Sequence, residues 1–211
     1  FSSLTFGKEK KLSVGIVGGG IVGASIAMHL SKNGANVTLF EKSAPATGAT
    51  GKSFAWINAF SNDPHYRSLR LKSISAYHEL DRKLQLQIIW GGAIHWAVNL
   101  AEAEIMKANV EEFNQAGYSA HMITPEYLAE LAPNLRLGPF VTASFTQLDG
   151  HLDPISTTRA FLDQAKEHGA KIVYPCEVTE LHFEGDHFTG ISATTGTYSL
   201  DRLVIAGGVD T

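Results

Sequence analysis

The sequence predicts an α/β fold with an antiparallel portion, and three observations carry that reading. A strand, a glycine turn, a helix and a second strand fit within residues 12–40, which makes a βαβ unit and implies a parallel sheet. Helical and strand-like segments then alternate as far as residue 168. The remaining residues are short strand-like segments split by turns such as Glu184-Gly185-Asp186, as antiparallel pairing requires.

Residues 1–10 form a polar, partly basic lead-in outside the fold, and the start at Phe1 without Met points to a trimmed or processed terminus. Residues 12–17 are a short apolar run with β-branched members, bounded by glycine, and read as a buried strand. Residues 21–33 carry Ala24, Ile26, Ala27 and Leu30 at helical spacing, with Gly34 where the helix should end. Residues 36–40 are strand-like, and 43–51 form a loop of small residues. Asp63-Pro64 supplies an N-cap and a first helical position. Leu69, Ile74, Tyr77, Leu80 and Leu84 follow at helical spacing, so a long helix is predicted to about residue 87, closed off by Gly91-Gly92.

Residues 93–98 then read as a strand, 101–115 as a helix stopped by Gly117, and Thr124-Pro125-Glu126 as the start of a short helix. Residues 140–145 alternate like a strand, and Asp153-Pro154 caps a helix that runs to 168 before Gly169. Strands are predicted at 171–174, 177–183, 188–193 and 203–206.

Composition narrows the functional classes. Seventeen Lys+Arg against 21 Asp+Glu give a net charge of −4, so the basic excess of a nucleic-acid or anionic-membrane binder is missing. The most apolar stretch, residues 14–30, holds five glycines with Ser25 and His29, which excludes a transmembrane helix there. One cysteine, Cys176, excludes an internal disulfide framework and a zinc cluster of paired cysteines, and its expected role is packing. A cytoplasmic location is expected on the same ground. The histidines lie scattered without metal-ligand spacing, so no metal site is expected.

The motif that carries chemistry is Gly18-Gly19-Gly20-Ile21-Val22-Gly23, placed after a strand and opening a helix. Gly18 permits the tight turn, Gly20 lets the backbone approach a diphosphate, and Gly23 with Ala27 lets the helix pack closely on the sheet. Ile21 and Val22 begin the helix, whose N-terminus offers free N–H groups and partial positive charge to that diphosphate. Glu41 closes the second strand, where a carboxylate can accept from both hydroxyls of an adenosine ribose. The fingerprint leaves NAD and FAD open. The loop after it favours FAD: Lys42 leads into Ala46-Thr47-Gly48-Ala49-Thr50-Gly51-Lys52-Ser53, a segment thin enough to lie along an extended cofactor and donate N–H groups to it.

From about residue 11 to the end, the sequence resembles the FAD-dependent amine and amino-acid oxidoreductases of the D-amino-acid oxidase, glycine oxidase and sarcosine oxidase family. The resemblance rests on the glycine fingerprint ending in Phe40-Glu41-Lys42, the Ala49-Thr50-Gly51-Lys52-Ser53 loop, Gly92-Ala93-Ile94-His95 and Leu131-Ala132-Pro133-Asn134-Leu135. It rests further on Asp149-Gly150-His151-Leu152-Asp153-Pro154 and on the closing Val204-Ile205-Ala206-Gly207-Gly208.

The resemblance implies a Rossmann-like FAD-binding domain, with a parallel sheet plus an antiparallel meander, formed by residues 11–90 and 148–211. Residues 91–147 would be part of an inserted, mixed-sheet substrate domain. It implies that Thr50 to Ser53 run beside the ribityl chain and flavin, that Val178 presents backbone groups to the adenine, and that Ala206 and Gly207 lie near the pyrophosphate and ribityl chain. Lys42 belongs to the same contacts, and Lys52 is either a charge near the cofactor or an exposed loop lysine. Trp56, Asn58 and His95 are the candidates for substrate contact, and no residue is singled out as catalytic.

The activity implied is oxidation of an amine or amino acid to an imine by hydride transfer to FAD. A non-catalytic FAD- or ADP-binding subunit and, further off, an NAD-dependent dehydrogenase are the alternatives. A complementary C-terminal chain or segment of the same fold is expected, because the family's remaining half would complete the substrate sheet.

Overall fold

The computed structural model describes residues 11–136 and 138–210; the expected lead-in lies outside the described residues. In sequence order the first elements are β1 (Ser13–Val17), α1 (Ile21–Lys32), β2 (Asn36–Phe40), a 3-10 turn at Thr50–Lys52 and β3 (Trp56–Ile57). Next come α2 (Pro64–Leu84), β4 (Ala93–Ala97), α3 (Leu100–Gln115), β5 (Ala120–Ile123), α4 (Pro125–Leu131), β6 (Thr142–Thr146) and β7 (Gly150–His151). The last elements are α5 (Pro154–Glu167), β8 (Lys171–Val173), β9 (Val178–Glu184), β10 (His187–Ala193), β11 (Gly196–Ser199), β12 (Arg202–Ile205) and a 3-10 turn at Gly208–Asp210.

The described residues divide into two compact units, residues 11–53 with 153–210 and the described part of residues 54–152. The sequence reading sets the boundaries at 90/91 and 147/148 instead. The structure puts α2 in the second unit, where buried Arg67 reaches Glu112 of α3 at 2.7 Å, Arg70 reaches Asn58 at 2.7 Å and Asp81 accepts from Trp90 at 3.1 Å.

In the first unit, β12, β1, β2 and β8 form a four-stranded parallel sheet in that order. Val14, Ile16, Val37 and Leu39 are buried on one face of it and Gly15, Thr38 and Phe40 on the other, so both faces of the central strands are covered, as a parallel sheet needs. Helix α1 packs against α5; the buried residues of α1 include the small Ala24 and Ala27, and those of α5 include Phe161, Leu162 and Ala165. A separate antiparallel sheet orders β11, β10 and β9. It shares a core of Phe40, Cys176, Ile191 and Leu200 with the parallel sheet, and Tyr198 meets the Phe40 ring edge-on at 4.7 Å. Cys176 is buried in that core.

In the second unit, β4, β6 and β5 form an antiparallel sheet in that order, and β3 pairs with β7. Ile123, Leu128 and Ala143 join α4 to one face of the sheet. The long helix is shorter than predicted: Gln85 takes a left-handed conformation at φ 53° and ends α2 there, ahead of Gly91-Gly92. Asp63, Asn99, Thr124 and Asp153 each accept a backbone N–H as the N-caps of α2, α3, α4 and α5. No helix of the described residues is long and apolar enough to cross a membrane.

Candidate functional site

Helix α1 is built differently from the other four. Gly20 is its N-cap, so it alone of the described α-helices lacks a capping side chain at that position. The turn before it is fixed by backbone bonds: Gly18 N–H donates to Phe40 C=O at 2.8 Å, and Ala46 N–H to Gly19 C=O at 3.0 Å. Gly18 sits at φ 109°, and a Cβ there would collide with the Ala206 carbonyl. A Cβ at Gly23 would collide with the Gly18 carbonyl. At Gly20 the backbone is extended, and an added Cβ would meet only Thr50 Oγ1, at 3.1 Å. Thr50 Oγ1 accepts the Ile21 N–H at 3.1 Å, so the loop after β2 is hooked onto the start of α1.

Glu41, just past the end of β2, is held on both sides. Its N–H donates to Val173 C=O at 3.0 Å, and its C=O accepts from Cys176 N–H at 2.7 Å. Its carboxylate accepts from Gly19 N–H at 2.7 Å and Ser43 N–H at 2.9 Å, one on each oxygen. A carboxylate offers about four lone-pair sites, so acceptor capacity remains for ribose hydroxyls.

These features enclose a cavity of about 600 Å³, within the roughly 300–1,000 Å³ typical of ligand sites. Gly18, Gly20, Ile21 and Val22 line it from the turn and α1, Glu41 and Lys42 from the end of β2, and Ala49, Thr50 and Ser53 from the loop. Ala206 and Gly207 close it. The donor set suits a dinucleotide: an uncapped helix N-terminus for a diphosphate, a glycine whose missing Cβ leaves room for it, and a carboxylate for a ribose.

Four of the expected cofactor residues stand apart from this lining. Gly23 lies behind the turn, where it permits the packing of α1. Gly51 abuts the Ala46 carbonyl, Lys52 is exposed, and Val178 begins β9, paired with Ala193. The lining also takes in Ala46, Thr47 and Gly48 from the thin loop and Gly208 from the closing glycine turn, together with Ser43 and Val209, to which sequence reasoning gives no cofactor role. Ala46 is the informative one: it holds φ 65° and bonds Gly19, a conformation that a small residue permits and no sequence periodicity announces.

In the second unit, a cavity of about 720 Å³ is lined by Trp56 and His95 together with Phe54, Trp96, Gly150 and His151, among others. Asn58 lines a different, smaller cavity of about 200 Å³, beside Arg70 and Tyr77. Its amide is engaged: Oδ1 accepts from Arg70 at 2.7 Å and from Phe60 N–H at 3.1 Å, and Nδ2 donates to Trp56 C=O at 3.3 Å. His95 is half-buried between the Phe60 and Trp56 rings, at 4.8 and 5.8 Å, and its Nε2 has no hydrogen-bond partner. Burial pulls its pKa below the usual histidine value, which favours the neutral ring.

Behind this wall stands a group to which the sequence assigns no role. Asp149 is wholly buried and accepts from Trp56 Nε1–H at 2.9 Å and from the Tyr118 hydroxyl. Burial pushes the Asp149 carboxyl above the usual carboxylate range, against the donors and the distant Arg70 charge that pull it down. Burial, with the carboxylate as neighbour, also raises the Tyr118 phenol.

The protein family described as "FAD dependent oxidoreductase" (DAO) matches residues 13–211 of this chain. Mouse mitochondrial dimethylglycine dehydrogenase is 30% identical over 196 residues, covering 92% of this chain and 23% of that protein. Sarcosine oxidase subunit beta of Arthrobacter sp. is 28% identical over 210 residues, covering 94% of this chain and 51% of that subunit. Among solved structures, L-proline dehydrogenase from P. horikoshii superposes with a TM-score of 0.86 at 29% identity, over 93% of this chain and 53% of that one. The chain thus spans between about a quarter and about half the length of these relatives.

Proposed function

Because the chain belongs to the DAO family of FAD dependent oxidoreductases, we propose that it is the FAD-binding part of an enzyme that oxidises the C–N bond of an amine or amino acid. The observation that carries this reading is the 600 Å³ cavity of the first unit, where an uncapped helix start, a glycine turn and the Glu41 carboxylate converge. On this reading the first unit holds the dinucleotide. N–H groups at the start of α1 bind its diphosphate, Glu41 binds the adenosine ribose, and the loop from Ala49 to Ser53 follows the ribityl chain.

When bound, FAD supplies the redox chemistry, taking a hydride from the carbon beside the nitrogen so that the substrate becomes an imine that water hydrolyses. The protein's own residues bind and orient. Trp56 and His95 form a wall of the substrate cavity in the second unit. His95 stays neutral there, so the wall places no positive charge against the amine.

The extent of the matches supports a further part of the reading: a complementary C-terminal segment, in the same or a second polypeptide, completes the substrate unit. One of the relatives is by its name a subunit. The edge strand β4 and the residues just after it present Trp96, Val98 and Leu100 to solvent, at 46%, 56% and 75% exposure.

The test is spectroscopic. The purified protein, with its C-terminal complement, should be yellow and release FAD on denaturation. Anaerobic addition of secondary amines and amino acids should bleach the flavin. Flavin that no amine reduces would favour the non-catalytic subunit, and a colourless protein that binds NAD would overturn the proposal.

A further inference from the structure

We propose that Asp149 is a positioning residue: its buried carboxylate holds the Trp56 indole on one oxygen and the Tyr118 phenol on the other, and so fixes the wall that the second-unit cavity presents to an amine. The inference rests on the reading of that cavity as the substrate cavity.

Asp149 and Tyr118 both have no solvent exposure. Oδ2 of Asp149 accepts from Trp56 Nε1–H at 2.9 Å, Oδ1 accepts from the Tyr118 hydroxyl, and the backbone carbonyl oxygen accepts from Gly92 N–H at 2.9 Å. No ion pair neutralises it among the described residues. A buried carboxylate without a cation is costly, and a core needs none. The carboxylate faces the Trp56 and Tyr118 donors at once, with the Thr146 hydroxyl bonded to it as well. Indole N–H is a donor only, and an ionised carboxylate is an acceptor only. An asparagine in the same place would turn an NH₂ group toward one of the two.

The local backbone cannot orient Trp56 by itself, because β3 is two residues long and paired only with β7. The rings complete the support. Trp56 meets His95 at 5.8 Å, His95 meets Phe60 at 4.8 Å, Phe60 meets Phe113 at 5.3 Å, and Phe113 meets Tyr118 at 5.3 Å. Tyr118 returns to Asp149, so the circuit of contacts closes on itself. Turning the indole breaks the bond to Asp149 at one end and the tilted ring contact with His95 at the other. Packed circuits of this kind have discrete arrangements rather than continuous ones.

The experiment compares the parent with Asp149→Asn, as protein with its C-terminal complement, carrying flavin and labelled with ¹⁵N in its indoles, three of which lie in this chain. Trp56→Phe assigns the Trp56 N–H signal. The Trp90 N–H, which donates to Asp81 at 3.1 Å, serves as internal control. The expected result is a displaced Trp56 signal beside an unmoved Trp90 signal, with flavin content retained. KM for the amine that the parent turns over should rise about tenfold, equivalent to about 1.4 kcal/mol.

An unmoved Trp56 signal overturns the proposal, and so does a displaced signal with unchanged KM. A parent that turns over no amine overturns the substrate reading instead, and the indole signal tells the two failures apart because it still responds to Asp149. If Asp149→Asn does not fold, Tyr118→Phe removes the other donor from the carboxylate. The same pair of readouts then applies, with an unmoved signal again overturning the proposal.

Discussion

The cavity of the first unit and the aromatic cavity of the second are made of different material. The cavity of the first unit is backbone: a glycine turn, an uncapped helix start and a loop hooked to them by backbone hydrogen bonds, with the Glu41 carboxylate held by two N–H groups. The cavity of the second unit is built of side chains: Phe54, Trp56, His95 and Trp96, gathered from strands far apart in sequence. A backbone cavity binds what every dinucleotide shares, phosphate and ribose. A cavity walled by side chains can be refitted to a new substrate without rebuilding the sheet beneath it.

The sharpest way to break this comparison is to add one side chain to the turn and remove one from the aromatic wall. At Gly23 an added Cβ collides with the Gly18 carbonyl, and no flexible atom can move aside. Gly23→Val should therefore destabilise the first unit by about 3 kcal/mol. Phe54 is 78% exposed, so Phe54→Ala should change stability by less than about 0.5 kcal/mol. Urea unfolding of both variants checks the contrast, and equal costs would break it.

The next largest effect concerns the one side chain that the backbone cavity depends on. Glu41→Ala should weaken FAD binding by about 1.5–3 kcal/mol, the loss of charge-assisted hydrogen bonds. Glu41→Gln keeps an acceptor for the Gly19 N–H and should lose less. Flavin titration into apo protein gives both numbers. Unchanged affinity in Glu41→Ala would remove the carboxylate from the ribose site.

What the sequence shows divides along the same line. The βαβ unit, the turn and the position of Glu41 are legible because each depends on local backbone geometry: a glycine at positive φ, small residues where α1 packs, a strand end. The caps Asp63 and Asp153 are legible for the same reason. Strands β3, β5, β7 and β11 give no local signal, being two to four residues long and defined by their partners, as Trp56 is by His151. The boundary at residue 53 is hidden because it follows from pairings far apart in sequence, such as Arg67 with Glu112, 45 residues apart. The Asp149–Trp56 bond spans 93 residues, and no spacing rule connects the two.

The pH response of the second unit sharpens the comparison further, since its wall holds a half-buried histidine. His95 has a pKa lowered by burial from 6.5, so the folded state resists a proton that the unfolded state accepts. Above the unfolded value both states are neutral and this group contributes no slope. As the pH falls through 6.5, the unfolded state binds the proton first and stability drops until the folded pKa is passed. Asp149, raised by burial, titrates with the opposite sign. The readout is therefore the difference between parent and His95→Phe in urea midpoint from pH 7.5 to 5.5. The parent should lose stability on acidification relative to the variant, and parallel profiles would show that His95 is protonated freely in the fold.

The smallest expected effect on stability is the most discriminating for the backbone cavity. Gly20 is an N-cap in extended conformation, φ −76° and ψ −179°, so a side chain there meets no backbone strain. Serine is a better N-cap than glycine by only a few tenths of a kcal/mol, because its hydroxyl accepts an N–H of the first turn. The added Cβ would approach Thr50 Oγ1 to 3.1 Å and would occupy the side of the turn that faces the cavity. Gly20→Ser should therefore fold with a stability within about 0.5 kcal/mol of the parent while holding distinctly less flavin. Its hydroxyl would satisfy a donor that the diphosphate would otherwise take, and its Cβ would hold the phosphate away. Thermal unfolding and flavin content, measured on one preparation, read the two effects separately. Full flavin content in a stably folded Gly20→Ser would mean that the phosphate does not approach α1 at this residue.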